Sequence, residues 1–270
     1  MGECRGPITR EIIKADADPR PTVGCDQLHG SETAFVGSLP APVAALPYDK
    51  VAALTEDSPE LLPILSQCRS DFDHYLGESG IGPDAVRVTS LFSPFFIPTA
   101  EEWAKGARWL RCDAATEPFD GQATRGTTES LRGILTRGPL PVSLRACYRV
   151  TFPDFTGLTS CDQAHKGELM LEYLATDPRI AAFGTDIKAI EAYIYTKPFV
   201  KGCDDRVAAL VGVRGPAELE QRAIYPATVP INVERWPADP QARKVWCIAI
   251  VDQPIVGTLE GLGMKPLPRA

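Results

Sequence analysis

The sequence predicts an α+β protein of two tandem repeats, each a small antiparallel sheet with a packed helix and two disulfides. Cysteine spacing, a short segment that occurs twice, and a recurring order of strand-like and helix-like stretches predict it. The eight cysteines fall as Cys4, Cys25, Cys68 and Cys112, then Cys147, Cys161, Cys203 and Cys247. Their separations are 21, 43 and 44 residues in the first set and 14, 42 and 44 in the second. Self-similarity of this kind marks a duplicated structural unit. The segment Cys25-Asp26-Gln27-Leu28-His29-Gly30-Ser31-Glu32 matches Cys161-Asp162-Gln163-Ala164-His165-Lys166-Gly167-Glu168 as C-D-Q-x-H-x-x-E. Behind the fourth cysteine of each set come Ser130-Leu131-Arg132-Gly133 and Thr258-Leu259-Glu260-Gly261. A turn-rich stretch, Gly138-Pro139-Leu140-Pro141, separates the copies, giving domains 1–138 and 139–270.

Within a copy, β-branched and aromatic residues predict strands around the first two cysteines, at Thr33 to Val36 and at Ala146 to Phe152. Ser58 is placed to cap a helix with Pro59 at its first position, where a missing N–H costs little. Leu61, Leu65, Cys68, Phe72 and Leu76 then share one helical face, and Phe199, Cys203, Val207 and Leu210 repeat that stripe in the second copy. Thr99-Ala100-Glu101-Glu102 reads as a capping box for a short helix carrying Trp103 and closed by Gly106. Closing strands follow at Arg108 to Cys112 and Arg243 to Val251, the second apolar enough for a central strand.

An even cysteine count without a C-x-x-C pair points to disulfides in an oxidising compartment rather than to zinc ribbons or a redox dithiol. Linking first with fourth and second with third cysteine (Cys4 with Cys112 and Cys25 with Cys68, then Cys147 with Cys247 and Cys161 with Cys203) would tie two strands together and the helix to the sheet. A hairpin link between first and second is the alternative. With 25 prolines and 22 glycines, short elements and well-populated loops are expected, not a helical bundle.

A net charge of −7 and the lack of a basic stripe argue against nucleic acid and against an anionic membrane face as partners. No apolar run reaches the length of a membrane span. Cys4 lies only three residues from the start, which is expected of a segment that follows a membrane anchor or secretion signal.

The chemistry-bearing residues are Asp26, His29 and Glu32 with their repeats Asp162, His165 and Glu168. An imidazole beside carboxylates can ligate a metal or carry protons. On a helix the three would share a face; in a turn entering a strand they cannot all converge, and Thr33 to Val36 favours the turn. The structural reading, in which Asp caps a turn and His and Glu bond neighbouring loops, is therefore preferred to a metal site, and a metal site to catalysis. Trp103 and Trp236 are read as core plugs, the alternative being a glycan-stacking surface. No G-x-S-x-G, Walker, Rossmann or H-E-x-x-H motif occurs, and paired cysteines offer no thiolate, so no enzyme activity, metal or cofactor is expected.

At these residues the chain resembles the septum-formation domain family of actinobacteria. Cys4, Cys25 with His29 and Glu32, Cys68, Trp103 with Gly106, and Cys112 carry the resemblance over most of residues 4–133. The second copy repeats it with Cys147, Cys161 with His165 and Glu168, Cys203, Trp236 and Cys247, but lacks the glycine shortly after its tryptophan. The resemblance implies an extracytoplasmic, membrane-anchored envelope protein linked to cell division and septum formation, and it brings no catalytic residues. A binding or scaffold domain contacting an envelope or divisome protein, or peptidoglycan, is the function expected. A metal-binding sensor or metal-dependent enzyme built on the D-x-x-H-x-x-E segments is the alternative.

Overall fold

The computed structural model describes residues 2–15, 17–77, 80–82, 85–87, 89–116, 126–149, 156–231, 233–237 and 243–270, with backbone alone at 80–82, 85–87, 197–199 and 235. The chain divides into two compact units, Met1–Glu78 with Ser90–Gly138, and Ser79–Thr89 with Pro139–Ala270. The segment 79–89 lies inside the first cysteine set in sequence, yet it belongs to the second unit.

In the first unit the strands are β1 (Cys4–Arg5), β2 (Thr22–Val23) and β3 (Ser31–Ser38). Helices α1 (Arg10–Ile13), α2 (Ala41–Ala44), α3 (Tyr48–Ala52) and α4 (Leu62–Leu76) interleave with and follow them. The hairpin strands β4 (Gly80–Gly82) and β5 (Ala85–Arg87) come next and join the second unit's sheet, where β5 pairs antiparallel with a strand at Leu171 to Tyr173. Returning to the first unit, the chain forms β6 (Leu91–Phe92), β7 (Phe95–Phe96), α5 (Ala100–Ala104) and β8 (Trp109–Thr116). Its sheet runs β2-β1-β3-β8-β6, with β7 also on β8.

The second unit has β9 (Ala146–Tyr148), β10 (Leu158–Ser160), β11 (His165–Leu174), α6 (Arg179–Ala182), α7 (Ile187–Ile194), α8 (Lys197–Val211), α9 (Pro216–Gln221), β12 (Ile224–Ile231) and β13 (Lys244–Ile255). Its sheet order is β10-β9-β11-β13-β12. The two central pairs correspond in detail. On β3 and β8 the register shifts between Thr33 and Phe35, and on β11 and β13 between Leu169 and Leu171, the same places relative to Glu32 and Glu168. Just beyond them, Leu39 N–H bonds Arg108 O at 2.9 Å and Ala175 N–H bonds Arg243 O at 2.7 Å.

The long helices α4 and α8 pack over these pairs. On α4 the buried face is Ile64, Cys68, Tyr75 and Leu76, with Leu61 just before it, while Leu65 and Phe72 sit at its margin. On α8 Cys203, Val207 and Val211 are fully buried and Leu210 is marginal; the side chain of Phe199 lies outside the described residues. Burying each such aliphatic side chain contributes about 1.5–3 kcal/mol. Helix α4 starts one turn later than the sequence predicts. The Ser58 hydroxyl accepts from Thr55 N–H at 2.9 Å and so closes the preceding turn, and Pro63 supplies the N–H-free position in the helix's first turn. The capping box at Thr99 and Glu102 forms as expected. The strand expected from Ala146 to Phe152 ends at Tyr148 as β9; residues 150–152 lie outside the described ones. Among the described residues no helix is long and apolar enough to cross a membrane.

The disulfide pairing differs from first-with-fourth and second-with-third. The bonds are Cys4–Cys25, Cys68–Cys112, Cys147–Cys161 and Cys203–Cys247, leaving no free cysteine. The reason is sheet order. Cys4 lies on β1 and Cys112 on β8, with β3 between them, and Cys147 on β9 is likewise separated from Cys247 on β13 by β11. Two strand spacings are about 9.5 Å, beyond the reach of about 7 Å between bridged Cα atoms. The bonds formed have Cα separations of 5.2 to 5.9 Å. One bond per unit fastens the leading strand to the loop entering the central strand, and the other fastens the long helix to the sheet.

Candidate functional site

The repeated segment forms a turn that runs into the central strand. Gln27 N–H closes it on Gly24 O at 2.9 Å, and Gln163 N–H on Ser160 O at 3.0 Å. Asp26 is exposed in its turn. Asp162 is half-buried and accepts from Ser160 and from Gln163 Nε2. Neither aspartate joins its His and Glu, as a turn-to-strand path requires.

His29 and Glu32 are brought together. Both are buried, and His29 Nε2 lies 2.9 Å from Glu32 Oε1 while Nδ1 lies 2.8 Å from Gln27 O. A carbonyl and an ionised carboxylate only accept, so both ring nitrogens carry protons and His29 is an imidazolium. Its pKa is raised, first by the Glu32 hydrogen bond, with burial opposing and the Gln27 carbonyl adding. Burial works against ionisation of Glu32, yet its bonds from His29, Tyr75 and Leu131 N–H outweigh that and hold its pKa below the ordinary value. Leu131 N–H donates to Oε1 at 2.7 Å; Ser130 Oγ donates to Oε2 at 3.3 Å, and the Tyr75 hydroxyl donates to Oε2 at 2.5 Å.

The second unit reaches the same end with other residues. Glu168 accepts from Leu259 N–H at 2.6 Å and from the Thr258 hydroxyl at 2.6 Å, and its cation is Arg145, Nη1 at 3.1 Å. Arg145 also pairs with Glu260. His165 Nδ1 donates to Gln163 O at 2.7 Å, while its buried Nε2 has no hydrogen-bond partner among the described residues. Burial lowers the pKa of His165, which is neutral. By position, Arg145 corresponds to Gly2 and Leu210 to Tyr75. The first unit thus neutralises its buried glutamate with a histidine, the Tyr75 hydroxyl adding a hydrogen bond, and the second with an arginine.

The S/T-L-x-G segments complete the arrangement. Gly133 N–H bonds Tyr75 O at 2.7 Å and Leu135 N–H bonds Leu76 O at 3.0 Å; Gly261 N–H bonds Leu210 O at 2.8 Å and Gly263 N–H bonds Val211 O at 2.7 Å. These amides satisfy the otherwise unpaired carbonyls at the C-terminal ends of α4 and α8. In each unit a buried carboxylate on the central strand latches the tail, and the tail's amides in turn hold the end of the long helix. Sequence reasoning found the E and S/T-L-x-G motifs without connecting them. It missed Arg145, whose signal is an arginine two residues before the first cysteine of its set. It also missed a buried charge cluster in the first unit, where Asp18 binds Arg20 at 2.8 Å and Arg111 at 2.6 Å, and Arg111 Nε binds Asp113 at 2.9 Å.

One imidazole nitrogen of His165 lies with Cys147 and Cys161 sulfurs, and one of His29 with Cys4 sulfur and a Glu32 oxygen, each set within 4.8 Å. The sulfurs are committed to disulfides, and a metal ligand must be a thiolate. That leaves at most two ligands in the first unit, already bonded to one another, and one in the second. The residues do not fit a metal centre. Both tryptophans are core residues: Trp236 is fully buried with Nε1 on Ile231 O at 2.8 Å, and Trp103 has the Arg108 guanidinium 3.8 Å above its ring.

The opposite states of the two histidines are measurable. His29, with a raised folded value, contributes stability fully below the ordinary histidine pKa of about 6.5 and loses it as pH rises through the raised value. Glu32, with a lowered value, contributes above the ordinary glutamate pKa and loses it as pH falls through the lowered one. For His165 the folded value is lowered, so stability is lost as pH falls below about 6.5. NMR titration of the imidazole resonances is expected to place the His29 midpoint above the ordinary value and that of His165 below it. Coincident midpoints would contradict these assignments.

Fold and site together define a disulfide-stapled α+β repeat protein whose recurrent polar residues are latches. A family model described as septum formation matches residues 4–247, from the first cysteine to the eighth. The chain belongs to the septum-formation family. The match is one continuous span across both units, where the sequence reading took each copy as a separate occurrence of the pattern. No curated protein and no solved structure matches the chain.

Proposed function

We propose that this chain is a non-enzymatic binding or scaffold domain of an envelope protein that acts in septum formation, working outside the cytoplasm on a membrane-anchored protein and contacting a protein partner or cell-wall glycan. The pairing of all eight cysteines carries this reading, because disulfides persist in oxidising compartments. Family membership supplies the process. The absence of chemistry is supported by the site itself: the repeated His and Glu side chains are buried, and both glutamates are fully engaged in holding the fold. The natively oxidised chain is expected to enrich a specific protein from envelope extracts, or to sediment with purified peptidoglycan, while the reduced and denatured chain does neither. Enrichment of nothing by the native chain in both assays overturns the proposal.

A further inference from the structure

The first unit has an open pocket of about 260 Å³ lined, among the described residues, by Ala34, Asp71, His74, Tyr75 and Arg132, of which His74 and Arg132 are exposed. It opens beside the latch, since the Tyr75 hydroxyl donates to Glu32. The Arg132 guanidinium lies 5.2 Å from the centroid of the Tyr75 ring. Among the described residues neither Arg132 nor Asp71 forms an ion pair, although both line the same small space. Asp71 is half-buried and its Oδ2 accepts from Gln67 Nε2 at 2.9 Å, while Arg132 is exposed at the rim.

The second unit carries other residues at the corresponding positions. Counting from the helical cysteine, the latch glutamate and the S/T-L-x-G segment, the second unit carries Arg206 for Asp71, Ala209 for His74, Leu210 for Tyr75, Met170 for Ala34 and Glu260 for Arg132. There Arg206 stacks 4.5 Å over the Tyr173 ring, Glu260 pairs with Arg145, and Met170 is buried. The latch recurs in both units; the second has the two charges exchanged and each engaged by another side chain, whereas the first turns both toward one pocket.

We infer that this cavity binds a small zwitterion, an α-amino acid, with its carboxylate on Arg132 and its ammonium on Asp71. The planar guanidinium fork matches a carboxylate in two hydrogen bonds, and an aspartate supplies the complementary anion for an ammonium. Ala34 and the Tyr75 ring form the apolar wall. The volume is below the about 300–1,000 Å³ of sites for drug-sized molecules, which suits an amino acid and excludes an oligosaccharide. This binding is independent of the scaffold role.

The test is NMR titration of the intact oxidised chain with glycine, alanine and valine, beside propionate as the carboxylate alone and alaninamide as the ammonium alone. At least one amino acid is expected to shift Tyr75 and His74 resonances saturably, with propionate and alaninamide about tenfold or more weaker. Arg132→Gln and Asp71→Asn are each expected to weaken binding about tenfold or more while leaving the melting temperature unchanged. Shift mapping on the unmodified chain locates the site even if a variant is unstable. Absence of saturable shifts with every amino acid, propionate binding as tightly as alanine, shifts centred away from this cavity, or unchanged affinity in either folded variant overturns the inference.

Discussion

Glu168→Gln is expected to destabilise the second unit by about 3–5 kcal/mol, the range found when one partner of a buried ion pair is removed. Arg145 is buried, so its guanidinium would keep Glu260 as a counter-charge but face a neutral amide where Glu168 now pairs with it. The amide's own NH₂ would also meet donors where Glu168 now accepts from the Thr258 hydroxyl and Leu259 N–H. Glu32→Gln should cost less, about 1–3 kcal/mol, although Glu32 is also buried and, among the described residues, accepts four hydrogen bonds to the three of Glu168. His29 can release its proton and turn a lone pair toward the new amide, an escape that arginine lacks. Denaturant unfolding of the two variants measures the difference. Equal losses, or a larger loss for Glu32→Gln, would show that the two latches are not balanced by different cations.

The second large effect concerns the bonds between helix and sheet. Removing Cys203–Cys247 as a paired substitution to alanine releases a loop with a sequence separation of 44 residues, against 14 for Cys147–Cys161. Loop-closure entropy gives about 4 kcal/mol for the longer and about 3 kcal/mol for the shorter. Cys203 and Cys247 are both fully buried beside Val207, so the lost sulfurs add a packing penalty to the first figure. The melting temperature should fall by on the order of 10 °C for the helix-to-sheet bond and by less for the leading-strand bond. The reverse order would mean that α8 is held by packing alone. Since Cys68–Cys112 closes a loop of the same separation, its removal is expected to act on the first unit in the same way.

Much of this architecture is legible in the sequence because duplication prints each feature twice. The cysteine intervals located α4 and α8, and the closing strands were visible in their apolar, β-branched composition. What the sequence hides is order across a sheet. Cysteine spacing does not say that β3 lies between β1 and β8, and that single fact excludes the Cys4 to Cys112 bond. The start of α4 was misplaced for a local reason: Ser58 and Pro59 look like a cap and first turn, but the hydroxyl of Ser58 is used within the turn from Thr55.

The candidate site was legible by residue and illegible by partner. His29, Glu32, His165 and Glu168 stand out through repetition, yet what each does depends on residues about 100 positions away that approach only in the fold. Repetition also concealed a difference. The motif is the same in both copies, whereas the histidine is charged in one and neutral in the other, because Arg145 has taken over the neutralising role. The cavity charges Asp71 and Arg132 had no sequence signal beyond their departure from the second copy, where Arg206 and Glu260 stand instead.

The central claim, that each unit is an oxidised module with one bond at its leading strand and one from helix to sheet, is tested most directly by mapping disulfides. The chain should be digested without reduction, free thiols blocked, and the linked peptides identified by mass spectrometry. The expected result is four linked pairs, Cys4 with Cys25, Cys68 with Cys112, Cys147 with Cys161 and Cys203 with Cys247, and no blocked thiol. Stoichiometric free thiols in freshly purified protein, or peptides joining Cys4 to Cys112 and Cys147 to Cys247, would contradict it.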